Sequence, residues 1–115
     1  MPTTFYEREQ AFEAKFAHDE EFRFLVAARR DKLFAWWAAT TLRLSSERGE
    51  ALVRAVLAIP NGPGHDQAVL RHITDVASTH DGGTLGGDLA AVLDRCAQLA
   101  RQQLIETTPY HTHVL

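Results

Sequence analysis

Histidine, cysteine and arginine are the residues whose types and spacing could do chemistry in this chain. His65, His72 and His80 recur at intervals of seven and eight, which lines them along one side of a helix. Such a patch would titrate between about pH 5 and 8. It makes a poor zinc site, because ligands on one helix face need a spacing of about three or four. A solvated polar face is the plainer reading. His111 and His113 could both reach one metal if extended, although a loose tail is the simpler account. Cys96 falls within an apolar stripe and reads as a buried structural thiol. Arg29 and Arg30, with Lys32, could hold an anion or a nucleotide phosphate. The stretch GGTLGGD, residues 82–88, lacks the lysine and the preceding strand of a phosphate-binding loop. No carboxylate pair stands out in an apolar, pocket-forming stretch. The sequence therefore assigns no catalytic residue, no metal and no cofactor.

Four helices and no strand account for the rest of the pattern. The 115 residues suggest one all-α domain, a small four-helix bundle. Thr4 and Glu7 fit a capping box at the start of a first helix that meets no proline or glycine until after Arg43. A second helix is predicted from Ser46 to Ile59, with Leu52, Val53, Val56 and Leu57 inward. PNGPG, residues 60–64, ends it. A third is predicted from Asp66 to Thr79, with Val69, Leu70, Ile73, Val76 and Ala77 on one face and Gly82 or Gly83 as its left-handed cap. The fourth follows Thr84 as its cap, with Leu85, Leu89, Val92, Leu93, Cys96, Leu99 and Leu104 as its stripe. Residues 107–115 look irregular.

The first helix poses a problem of size. As one rod, residues 5–43 would be roughly 58 Å long, yet a compact chain of this length is only about 35 Å across. Phe22, Leu25, Val26, Leu33, Trp36, Trp37, Thr40 and Leu44 fall within about 120° of one another and form the predicted bundle-facing stripe, which makes both tryptophans core. Phe5, Phe12 and Phe16 cluster within about 40°, on a direction rotated by about 100° from that stripe. Two such stripes on a straight helix cannot face the same partner. The N-terminal part is therefore expected to project or to be mobile. His18, Asp19 and Glu20 form a polar join that could serve as a hinge, and His18 beside Asp19 could make it sensitive to pH. This divides the chain into an N-terminal partner-binding segment (1–21), a helical bundle (22–106) and a tail (107–115). Residues 5–16 have the look of a helix that docks in a groove, and a frayed end folded back on its own bundle is an equally good account of the pattern.

Charge and cysteine content narrow the partners. A formal net charge of −3 argues against nucleic acid and anionic membrane, both of which call for a basic footprint. A single cysteine rules out an internal disulfide and suits a reducing cytoplasm. The N-terminus lacks the pattern of a signal peptide, and no apolar run approaches the roughly 18 residues that span a bilayer.

The stretch FYEREQAFEAKFAHDEEFRF, followed by ARRDKLFAWWAA, resembles the opening of the alphaproteobacterial ATP synthase zeta subunits, a family of ATPase inhibitors. The likeness covers about residues 5–39. It departs at Asp31, where the family motif usually has Asn, and at Phe34–Trp36, where the family is more aliphatic. The resemblance implies a non-enzymatic regulator that binds F1 of ATP synthase, at its alpha and beta subunits and near gamma. It implies that the N-terminal helix enters an alpha/beta interface and blocks rotation in the hydrolysis direction. Phe5, Phe12 and Phe16 would be its apolar anchors, with Arg8, Lys15, Glu9 and Glu13 pairing around them. The implied location is the cytoplasm, at the inner face of the plasma membrane through the ATP synthase. Two other readings stay open: a small-ligand sensor that binds a nucleotide or metal through Arg29, Arg30 or the histidine side of the third helix, and a helical adaptor for another protein.

Overall fold

A computed structural model describes the backbone of residues 5–80 and 85–107 and the side chains of residues 19–80 and 85–106. Its elements are α1 (Phe5–Thr41), α2 (Ser46–Leu57), α3 (His65–Thr79) and α4 (Leu89–Thr107), with no strand among the described residues. The predicted class, all-α with four helices and a long first one, holds.

α1 is the spine. Its 37 residues make an unbroken helix about 55 Å long, in a molecule measuring 66 × 27 × 25 Å. α1 packs chiefly on α4 and α2 and touches α3 little. α4 runs antiparallel to it: Val26 meets Ala100 and Leu104 near the end of α4, while Phe34 and Ala38 share the main core with Val92 and Leu93 near its start. α2 folds back from the other end, where Gly49 lies so close that a Cβ there would stand 3.4 Å from both Ala39 and Trp36.

The main core departs from the predicted stripe. Phe34, Ala35, Ala38 and Ala39 on this half of α1, with Leu42 just past its end, are buried on a side nearly opposite the predicted one. Trp36 is 39% exposed at the rim, and Thr40 is exposed. Only Trp37 of the two tryptophans contributes to the interior, stacked on Phe34 with centroids 5.8 Å apart and planes 8° from parallel. Three helices converge on this half of α1, and small side chains allow them to approach closely. Alanine therefore holds the centre and the indole of Trp36 is left at the edge. The predicted stripe does hold farther back, where Phe22, Leu25, Val26 and Leu33 face Ala100 and Leu104. On the other helices, Leu52, Val53, Val56, Val69, Ile73, Ala77, Val92, Leu93 and Leu104 are buried as predicted. Leu57 and Leu99 are exposed instead. Cys96 is half-buried.

The helix ends are set by local hydrogen bonding. α1 stops at a Schellman turn: Leu44 N–H donates to the Ala39 carbonyl at 2.9 Å and Arg43 N–H to that of Thr40 at 3.1 Å. Arg43 takes the left-handed conformation, φ 56°, which costs a non-glycine residue roughly 1–2 kcal/mol. Glycine avoids that cost but loses about 0.5–1 kcal/mol in unfolded-state entropy. Arg43→Gly is therefore expected to stabilise the fold by up to about 1 kcal/mol, read as a higher midpoint in urea with an unchanged slope. Ser45 caps α2 through its side chain, which accepts from Arg48 N–H.

α3 begins at His65, one residue before the predicted start, after Gly64 in a left-handed turn at φ 83°. α4 begins four residues later than predicted. Leu85 packs on the core from the preceding loop, and Gly87 turns the chain at φ 88°. Asp88 caps the helix, its Oδ1 accepting from the N–H groups of Ala90 and Ala91. The predicted caps at Thr4, Gly82, Gly83 and Thr84 lie outside the described residues.

Candidate functional site

The N-terminal half of α1 is positioned by what its C-terminal half is anchored to. Phe22 is the first described side chain of α1 that packs on another helix, joining Val26, Ala100 and Leu104. Arg101 of α4 lies over its ring at 6.0 Å. Asp19, Glu20 and Glu21 are exposed. From Phe22 back to Phe5 the helix continues for about 25 Å, passing through His18, Asp19 and Glu20 without a break. Phe5, Arg8, Glu9, Phe12, Glu13, Lys15 and Phe16 all belong to this stretch, and their side chains, with that of His18, lie outside the described ones.

Phe24 stands at the root of that stretch and is 57% exposed. It was not singled out in the sequence. Two residues on a helix differ by about 200°, so Phe24 points away from the side on which Phe22 meets α4. That offset from a neighbouring anchor is the signal that could have found it.

The other candidates are drawn into the protein's own structure. Arg29 Nη1 donates to Gln103 Oε1 at 3.1 Å, which ties α1 to α4. Arg30 bridges two carboxylates, Asp31 and Asp66, with Nη2 at 2.8 Å from each. Burial works against the Arg30 charge, and the two carboxylates outweigh it, raising its pKa.

His65, expected on a solvated face, is turned inward, with Nε2 2.6 Å from Asp31 Oδ2 and Nδ1 2.9 Å from the Pro60 carbonyl. A backbone carbonyl and a buried aspartate, neither of which the spacing pattern reveals, draw it in. His72 instead lines a shallow groove of about 250 Å³ between α2 and α3, with Leu44, Arg48, Leu52 and Val76. His80 caps the end of α3. The three histidines thus do not form one patch. No group of three His, Cys, Asp or Glu among the described residues could hold a metal ion, and His111 and His113 lie outside them. Burial pushes the Cys96 thiol up from its ordinary value, which suits a structural residue and not a nucleophile.

A protein-family model, ATPase inhibitor subunit zeta, matches residues 2–103. The chain belongs to that family. The match extends well past the likeness over residues 5–39 and includes all of α2 and α3. No curated protein and no solved structure matches the chain in the same comparisons. A zeta-family ATPase inhibitor is a regulatory protein and not an enzyme. Membership supports an inhibitory role on F1-ATPase and, with it, contact with F1 subunits. No helix among the described residues is long and apolar enough to cross a membrane.

Proposed function

We propose that this zeta-family protein inhibits ATP hydrolysis by inserting the N-terminal half of α1 at an interface between the alpha and beta subunits of F1. The observation that carries this reading is the unbroken continuation of α1 for about 25 Å beyond Phe22, the first of its described side chains that packs on another helix. Residues 1–21 are the blocking segment, and residues 22–106 are the bundle that aims it. Phe5, Phe12 and Phe16 share one helix face by count and supply the apolar anchors of a helix docked in a groove. Arg8, Glu9, Glu13 and Lys15 flank them and pair with charges on the motor. Phe24 widens the contact at the root. A continuous helix through His18, Asp19 and Glu20 suits a rigid wedge, which resists bending when the rotor pushes against it. The place of action is the inner face of the membrane, on the part of the enzyme that stands clear of the bilayer.

The deciding experiment measures ATP hydrolysis by F1 from the same organism with rising amounts of the full chain. Hydrolysis falling to a plateau at a stoichiometric amount supports the proposal, and unchanged hydrolysis at a large excess defeats it. The ligand-sensor reading has less behind it. Arg29 and Arg30 already serve Gln103, Asp31 and Asp66, which leaves the shallow α2–α3 groove beside His72 as its main support.

A further inference from the structure

Asp31 is the buried charged residue of the described core, with 3% of its surface exposed. Both carboxylate oxygens are engaged. Oδ1 accepts from Arg30, at 3.0 Å from Nε and 2.8 Å from Nη2. Oδ2 lies 2.6 Å from His65 Nε2, and the other ring nitrogen, Nδ1, lies 2.9 Å from the Pro60 carbonyl. A carbonyl oxygen only accepts hydrogen bonds, and so does an ionised carboxylate. A neutral imidazole carries one N–H, so one of these two short contacts would set lone pair against lone pair. A proton on Asp31 could relieve that conflict, but the Arg30 guanidinium on Oδ1 favours the ionised carboxylate. The arrangement calls for a proton on each nitrogen of His65.

We infer that His65 is a doubly protonated bolt that fastens the α2–α3 corner to the middle of α1, and that loss of one proton at raised pH releases this corner. The inference does not depend on the inhibitory mechanism. The charged groups around the ring come from every side. Arg30 and Asp31 belong to α1 and Asp66 to α3, the loop offers the Pro60 carbonyl, and from α4 the Cys96 thiol lies within the electrostatic reach of Arg30. With the imidazolium present, Arg30 and His65 balance Asp31 and Asp66. Without it, the half-buried cluster is left with a net negative charge. Val69 and Ile73 of α3 share the main apolar core with Phe34 and Ala38 of α1, and these polar contacts fasten the start of α3 beside that core. Burial opposes the charged ring, but the bonds to Asp31 and Pro60 outweigh it and the His65 pKa is raised from 6.5. A group whose pKa is higher folded than unfolded stabilises fully below the unfolded value. That stabilisation is lost as pH climbs through the folded one.

The test uses the full chain with 15N-labelled histidine, followed by long-range proton–nitrogen correlation and thermal unfolding between pH 5.5 and 9. Both His65 nitrogens are expected to show protonated shifts at pH 7. The ring should titrate above the unperturbed value, and the amides of residues 31 and 60–66 should move with the same midpoint. Asp31→Asn supplies an amide N–H that can donate to Nε2 of a neutral ring. In that variant His65 is expected to keep its proton on Nδ1 alone at pH 7, and to titrate lower than in the parent. The part of the alkaline loss in melting temperature that follows the His65 midpoint should vanish. If Asp31→Asn does not fold, the parent titration decides alone. An unprotonated nitrogen on His65 at pH 7 in the parent, or a midpoint at or below that of free histidine, overturns the inference.

Discussion

Removing residues 1–16 is expected to abolish inhibition of F1 hydrolysis and leave the bundle folded. The reasoning rests on where α1 is held. Its described apolar packing on other helices runs from Phe22 to Ala39, so truncation before residue 17 takes nothing from the core described above. Circular dichroism should show the truncated chain still helical, with a cooperative melt close to the parent's. A truncated chain that inhibits as well as the parent would end the wedge proposal. The double substitution Phe12→Ala with Phe16→Ala asks the same question without shortening the chain. Buried aromatic anchors at such interfaces are each worth about 2 kcal/mol or more, so the pair should weaken inhibition by roughly 1,000-fold if their contributions add. Loss of inhibition together with loss of the melt would mean that the aromatic rings support the fold, as a segment folded back on its own bundle requires.

Phe34→Ala should produce the largest loss of stability among single changes in the core. Phe34 has no exposed surface and stacks on Trp37. It shares its cluster with Val56 from α2, Val69 and Ile73 from α3, and Val92 and Leu93 from α4, so its removal leaves a void where all four helices meet. Truncations of this kind cost about 3–5 kcal/mol, out of a total that is typically about 5–15 kcal/mol. Each kcal/mol lowers the melting temperature of a domain this small by roughly 4–8 °C, so the midpoint should fall by more than about 12 °C. Trp36→Ala is the instructive contrast. That ring is exposed over Gly49, and its loss should cost clearly less. Equal losses in urea titrations of the two variants would contradict the packing described here.

That contrast marks where the sequence could and could not be read. The inward faces of α2, α3 and α4 were visible because each carries bulky aliphatic residues at helical spacing on a single side. α1 misled beyond Leu33 because its true interior there is mostly alanine, which weighs little in an apolar pattern. Its most conspicuous residue, Trp36, sits at the rim. The start of α4 was placed too early because Thr84 and Asp88 are both good caps, and only the left-handed turn at Gly87 decides between them. The length of α1 was legible from the lack of proline and glycine before Arg43, and simple arithmetic makes such a helix longer than a compact domain is wide. The Asp31–His65 contact was not legible. It spans 34 positions and needs the Pro60 carbonyl, and no local pattern reports a backbone oxygen.

The antiparallel course of α4 has a practical consequence for anyone attaching a probe. The last turn of α4 comes up beside Phe22, so a fluorophore or affinity handle placed after Thr107 is tethered at the base of the proposed blocking arm. There it would compete for space with whatever the arm enters. The Arg43–Ser45 corner is about 30 Å farther along the spine, at the opposite pole, and it offers an attachment point from which bulky cargo would leave docking undisturbed.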